Sequence, residues 1–322
     1  MIQRLIIPPW RKIVCHFLLF PFTKCERLVL SIHMNRQTTL FRFQKAYDFI
    51  KDARIFQIVF LSSFLLFGIF SLGWKADTLK YAVILTCAVL TQVMAIKLLN
   101  LKISSLRSAI ITALGLCLLL QSGELWVLGL ATILAIASKF IIRLNRKHLF
   151  NPANFGIISS IIITQRSWIS PGQWGSDVIL LLFFGAAGLM ILMRISRLET
   201  GITFFLTYFA LLYAYNVWYL GWEFEVVMHK MTNGSLLLFT FFMITDPMTI
   251  PNNKKARIIW AIIIAAISFI AGAFFQLYTA PIWILFFFTP ITVVFDRLWS
   301  ARKYEWGQTR KNQSLVITSL NN

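Results

Sequence analysis

Ten apolar runs constrain this chain more than any other feature. They cover residues 55–74, 81–99, 109–120, 126–142, 155–164, 178–193, 201–220, 235–244, 258–275 and 281–294, with short polar or basic stretches between them. In lipid every backbone polar group needs an internal partner, so a chain of this kind folds as a bundle of helices. Composition agrees: 58% of residues are hydrophobic and 13% charged, against about 45–50% and 25% in ordinary soluble domains. The expected fold is an all-α polytopic membrane protein. Several runs are shorter than the roughly 20 residues of a straight span, so flanking residues or neighbouring helices must complete them.

Lys and Arg set the orientation. With the N-terminus in the cytoplasm and ten alternating crossings, only Lys75, Lys80, Arg166 and Lys230 of the 31 Lys and Arg face outward. This is the bias of a multi-pass protein of the cell inner membrane with both termini cytoplasmic. It also accounts for the net charge of +19 without a nucleic-acid partner. Trp74, Trp126, Trp222 and Trp299 fall at segment ends, as interfacial aromatics do. The chain divides into a basic N-terminal arm (1–54), a transmembrane domain (55–296) and a basic tail (297–322). The arm carries ten Lys or Arg against three acids, which suits anionic lipid; Met34 is an alternative start. Five segments per half make the second half inverted relative to the first. Cys15, Cys25, Cys87 and Cys117 show no metal-ligand spacing, and no secretory signal is evident.

Two short runs interrupted by proline point to a central site. In the first, NRKHLFNPANFG (145–156) leads into residues 157–163. Pro152 suits a first helical turn and Asn151 its cap. With Arg146 and Lys147 beside it, the resulting helix N-terminus suits an anion; equally, it is a cap and headgroup anchor with no ligand. In the second, the run 235–244 ends in Thr245-Asp246-Pro247, followed by Thr249, Pro251 and the basic Lys254, Lys255 and Arg257. Asp246 can pair with a cation, bind one, or cap the turn to Thr249 at the interface. Gln92 and Ser159-Ser160 read as helix-packing groups, and Gly185 to Gly188 as close helix contact. Glu223 and Glu225 read as part of a solvated outer loop.

KHLFNPANFG (147–156) and NGSLLLFTFFMITDPMTIP (233–251) resemble the NqrB/RnfD family, membrane subunits of sodium-pumping quinone reductases and of Rnf electron-transport complexes. DARIFQIVFLSSFLLFG (52–68) resembles the first helix of the stand-alone UnbU-like branch. The resemblance spans about residues 45 to 300. It implies a ten-helix inverted repeat, similar to urea-channel architecture. It also implies partner redox subunits and a flavin. Redox members attach FMN to the Thr of a Ser-Gly-Ala-Thr motif, which is absent here; Thr232, in GWEFEVVMHKMTN, has other neighbours. Covalent FMN is therefore not expected. A noncovalent riboflavin or FMN is the candidate cofactor. Asn151, Pro152, Asn154, Phe155, Thr245, Asp246, Pro247 and Thr249 are the candidate binding residues, and Phe150 and the Phe241-Phe242 pair would supply an aromatic slot. No catalytic residue or metal site is expected. The competing expectations are a transporter or channel for a small solute or cation, and an accessory membrane protein; neither carries a redox cofactor.

Overall fold

The computed structural model describes residues 52–71, 73–74, 77–144, 147–170, 185 and 197–304. The basic arm before residue 52, the run expected at 178–193, most of the small-residue stretch 185–188 and the tail from 305 lie outside the described residues. The protein is an all-α polytopic membrane protein. Helices α1 (Ala53–Phe70), α2 (Thr78–Leu99), α3 (Leu106–Leu119), α4 (Leu125–Ile141) and α5 (Pro152–Thr164) take the first five expected runs in order. Beyond the gap come α6 (Leu198–Tyr213), α7 (Phe224–Met231), α8 (Gly234–Leu238), α9 (Lys254–Phe274), α10 (Ala280–Phe288) and α11 (Thr292–Leu298).

The short runs end in different ways. Helix α3 has 14 residues and passes into β1 (Leu120–Ser122). Helix α5 has 13 and is followed by β4 (Ser167–Ile169). The two strands pair antiparallel, Leu120 opposite Ile169 and Ser122 opposite Ser167. Their ladder satisfies backbone groups that a helix would otherwise have to continue, and buried Ser122 donates to the Arg166 carbonyl at 2.8 Å. Because the strands run antiparallel they cannot both extend helices that cross in the same direction, and the Ser160–Ser167 hydroxyl contact at 3.1 Å places β4 back alongside α5. Helix α5 by itself has 13 residues and covers about 20 Å, short of a full bilayer core. The run at 234–243 is shorter still. Helix α8 widens into a π-helical turn, Phe239–Met243, and its ten residues cover about 15 Å. Helix α6 likewise ends in a π-helical stretch, Ala214–Tyr219. Such turns are rare and gather at functional sites. The outer loop at 221–233, read from the sequence as irregular, contains α7.

Helix association in lipid depends on close packing more than on apolar burial. Alanines spaced four apart supply flat faces: Ala109 and Ala113 on α3, Ala131 and Ala135 on α4, and Ala261 and Ala265 on α9 are all fully buried. Helices α4 and α5 approach so closely at Gly156 that a Cβ there would stand 2.5 Å from the Ala131 carbonyl oxygen. Helix α3 is enclosed by α1, α2, α4 and α5. In the second half α6 lies along α9, and α10 crosses back onto α5. The outward positions are lipid-facing: Leu90, Met94 and Leu98 on α2 are all exposed.

Candidate functional site

The α5 N-terminus forms as its sequence suggests. Asn151 is the cap, its Oδ1 accepting the Asn154 backbone N–H at 3.1 Å, and Pro152 takes the first helical position. The Asn151 Nδ2 turns the other way and donates to Asp246 Oδ2 at 3.2 Å. The two proline-interrupted motifs therefore meet. The carboxamide that caps this helix is thus bonded to a carboxylate of the chain itself.

Asp246 is a half-buried junction. Its Oδ1 accepts the Met248 N–H at 3.0 Å, and its carbonyl accepts the Thr249 N–H at 3.1 Å. The turn-capping role is present, together with the cross-chain bond. Thr245 is directed elsewhere: its hydroxyl donates to the Phe241 carbonyl at 2.6 Å within its own helix. Lys139, buried near the end of α4, donates to the carbonyl and hydroxyl of Ser108 at 3.0 and 3.2 Å. Its charge also acts on Asp246. The centre thus carries one half-buried negative and one buried positive side chain drawn from the two halves of the chain.

A cavity of about 100 Å³ lies against this junction. Arg54, Ser108, His148, Asn151, Asp246 and Pro247 are among the residues around it. Buried polar atoms without partners occur at and next to its walls. Neither side-chain atom of Asn154 has a partner, nor does Nδ1 of His148. Such atoms cost roughly 1–3 kcal/mol each when unsatisfied. Burial, reinforced by the charges of Lys139 and Arg143, holds the His148 imidazole down at a pKa of about 4, so the ring is neutral at physiological pH.

Two ion pairs cover the junction from the basic side. Lys147 sits in β3 (Lys147–His148), which pairs with β2 (Arg143–Leu144). Its ammonium donates to the Ile250 carbonyl at 2.6 Å and to Asp296 Oδ2 at 2.8 Å, while Asp296 Oδ1 accepts the Asn252 N–H at 2.7 Å. Arg257, one of the basic residues that follow the second motif, is only 4% exposed. It pairs with Glu199 and donates to the Asn252 carbonyl at 2.6 Å. Together the pairs pin residues 250–252, the return path from Asp246.

Residues 153–305 match the NQR2, RnfD, RnfE family. The match takes in most of the first motif's helix and all of the second motif, and it supports the NqrB/RnfD resemblance. No curated protein matches the chain. The flavin that this family implies fits the junction poorly. The cavity is smaller than the roughly 300 Å³ at which small-molecule pockets begin. Of the expected aromatic slot only Phe242 lines it, and that ring stacks on Phe60 at 5.3 Å. Phe150 and Phe155 pack instead on Phe286, at 5.0 and 5.9 Å. Thr232, the only Thr in the expected attachment loop, is buried and bonds back to the Met228 carbonyl at 2.9 Å.

Of the residues expected at the site, Asn151, Pro152, Asp246 and Pro247 line the cavity, and Asn154 lies one turn inside α5. Phe155, Thr245 and Thr249 do not line it. The sequence reading did not place Lys139, His148 or Asp296 at the site, although His148 belongs to the basic cluster that opens the first motif. Lys139 carried a usable signal, an ammonium inside an apolar run, but was read as a topological charge.

Proposed function

We propose that this protein is a membrane subunit of the NQR2/RnfD/RnfE kind, near the stand-alone UnbU-like branch. On this reading it works in membrane electron transfer coupled to ion movement, and Asp246 handles the moving ion. The observation that carries the reading is the contact of Asp246 with Asn151 at 3.2 Å, where two interrupted helical segments end beside one small cavity. Coupling ions in transporters sit where discontinuous helices end, and ionisable groups at membrane depth mark ion paths. A proton or monovalent cation arriving at Asp246 competes with Lys139 for the carboxylate, so ion binding and the packing of α4 are linked. Partner membrane subunits in the plasma membrane would supply the redox centres. The cavity, about three water volumes in size, also favours a second reading: a small-solute channel of the same fold without a redox cofactor.

The test is electron-driven uptake of sodium ions and protons by liposomes holding the protein with its co-extracted partners. Asp246→Asn is expected to cut uptake about tenfold or more, the loss of one charge-assisted contact, at unchanged protein level. Full uptake in that variant overturns the role of Asp246. A lone, colourless oligomer whose liposomes pass urea replaces the subunit reading with the channel.

A further inference from the structure

A second cavity, of about 130 Å³, lies on the basic side of the molecule against Lys147, Asn252, Asp296, Arg297 and Ser300. Among the described residues, one side chain belongs to the walls of both this cavity and the one at Asp246: His148. The β2–β3 pairing fixes its backbone, with Arg143 opposite His148. The Lys147–Asp296 ion pair anchors the adjacent residue. The ring bonds to the Lys139 backbone, and its hydrogen bonding is otherwise incomplete. Its Nδ1 is buried without a hydrogen-bond partner, so its position between the cavities leaves a polar atom unmet. A swing toward either cavity would let water or a passing solute satisfy that atom.

We propose that His148 is the gate between a vestibule on the cytoplasmic side and the Asp246 cavity, and that small hydrophilic species reach Asp246 past its ring. The species that fit are a proton carried by water, a monovalent cation or a solute of a few heavy atoms. The inference rests on the reading of Asp246 as an ion-handling group, and it adds the route of access. A neutral imidazole suits that route, because it presents no fixed positive charge to an approaching cation. The charges facing the ring come from Lys139 and Arg143, while Lys147 is turned to Asp296.

Thiol accessibility tests the gate without knowledge of the transported species. In the full chain with its four cysteines replaced by Ser, Thr112→Cys places one thiol on the inner cavity and Ser300→Cys places one on the vestibule. Inside-out membrane vesicles are treated with a permanently charged trimethylammonium methanethiosulfonate. With His148 present, position 112 should react slowly and position 300 quickly. His148→Ala should speed reaction at position 112 by about tenfold or more, equivalent to lowering a barrier by about 1.4 kcal/mol. His148→Phe, which keeps a ring in the gap, should leave it slow or slower. Reaction at 112 that neither substitution changes, with position 300 reactive throughout, overturns the gate. The labelling reads steric access alone, so loss of the Asp246 reading through normal uptake in Asp246→Asn would leave this result standing as a separate outcome.

Discussion

A half-buried carboxylate needs its charge and lone pairs met. Asp246 meets both conditions through the Met248 N–H, the Asn151 carboxamide and the charge of Lys139. His148 shows the opposite economy at the same site: its burial favours the neutral ring, with a pKa lowered from 6.5 to about 4. The sign of the consequence follows by linkage. Below pH 6.5 the unfolded chain binds a proton at this residue and the folded chain does not until about pH 4. The contribution of His148 is therefore present above pH 6.5 and is lost as pH falls through that window. It amounts to roughly 3 kcal/mol at most. The thermal midpoint of purified protein in detergent should fall between pH 7 and pH 4.5, and His148→Gln should flatten that fall. Equal slopes in the two proteins would remove the assignment.

At the scale of elements, the closest approach is between α4 and α5. Gly156→Ala would push a methyl group to 2.5 Å from the Ala131 carbonyl oxygen and 2.7 Å from the Ala135 Cβ. Both neighbours belong to a helix and cannot yield without moving its backbone. The expected cost is about 1–3 kcal/mol, that of overpacking, read as a lower melting temperature in detergent. Gly129→Ala is the control. Its Cβ would meet the Cys87 Sγ at 3.5 Å and the Val83 Cγ1 at 3.8 Å, ordinary contacts, and its melting temperature should stay near that of the parent. Comparable losses in both variants would remove the α4–α5 approach as the cause, since helix propensity by itself favours Ala over Gly.

Over the whole molecule, charge asymmetry predicts the orientation. Only four of the 31 Lys and Arg fall outside when ten segments alternate from a cytoplasmic N-terminus. Reporter fusions after Leu120 and Leu220 should therefore report the outer side, and fusions after Arg143 and Arg257 the cytoplasm. An outer signal after Arg257 would remove the ten-crossing arrangement. The Arg166–Glu124 ion pair, at 2.6 Å and largely exposed, joins the two turns beside the β1–β4 ladder. It would then lie on the outer face, opposite the pinned loop at 250–252.

Much of this architecture follows from local properties. Lengths of apolar runs, caps and proline positions are set by the residues themselves, so α1, α2, α4, α5, α6 and α9 could be placed within a few residues, and Asn151 could be recognised as a cap. The pairing of β1 with β4 could not, because it joins residues more than 40 positions apart and neither three-residue strand signals itself. The same holds for the site. Asn151 and Asp246 each stood out from their own neighbours, but their contact across 95 residues depends on how the helices pack. The split of the expected aromatic slot depends on it too. Phe155 and Phe242 have the same chemistry in the sequence, and only the approach of α10 to one and of α1 to the other decided which ring faces the cavity. Backbone and composition specify which segments enter the membrane; the charges and rings that meet there are chosen by close packing, which no single segment encodes.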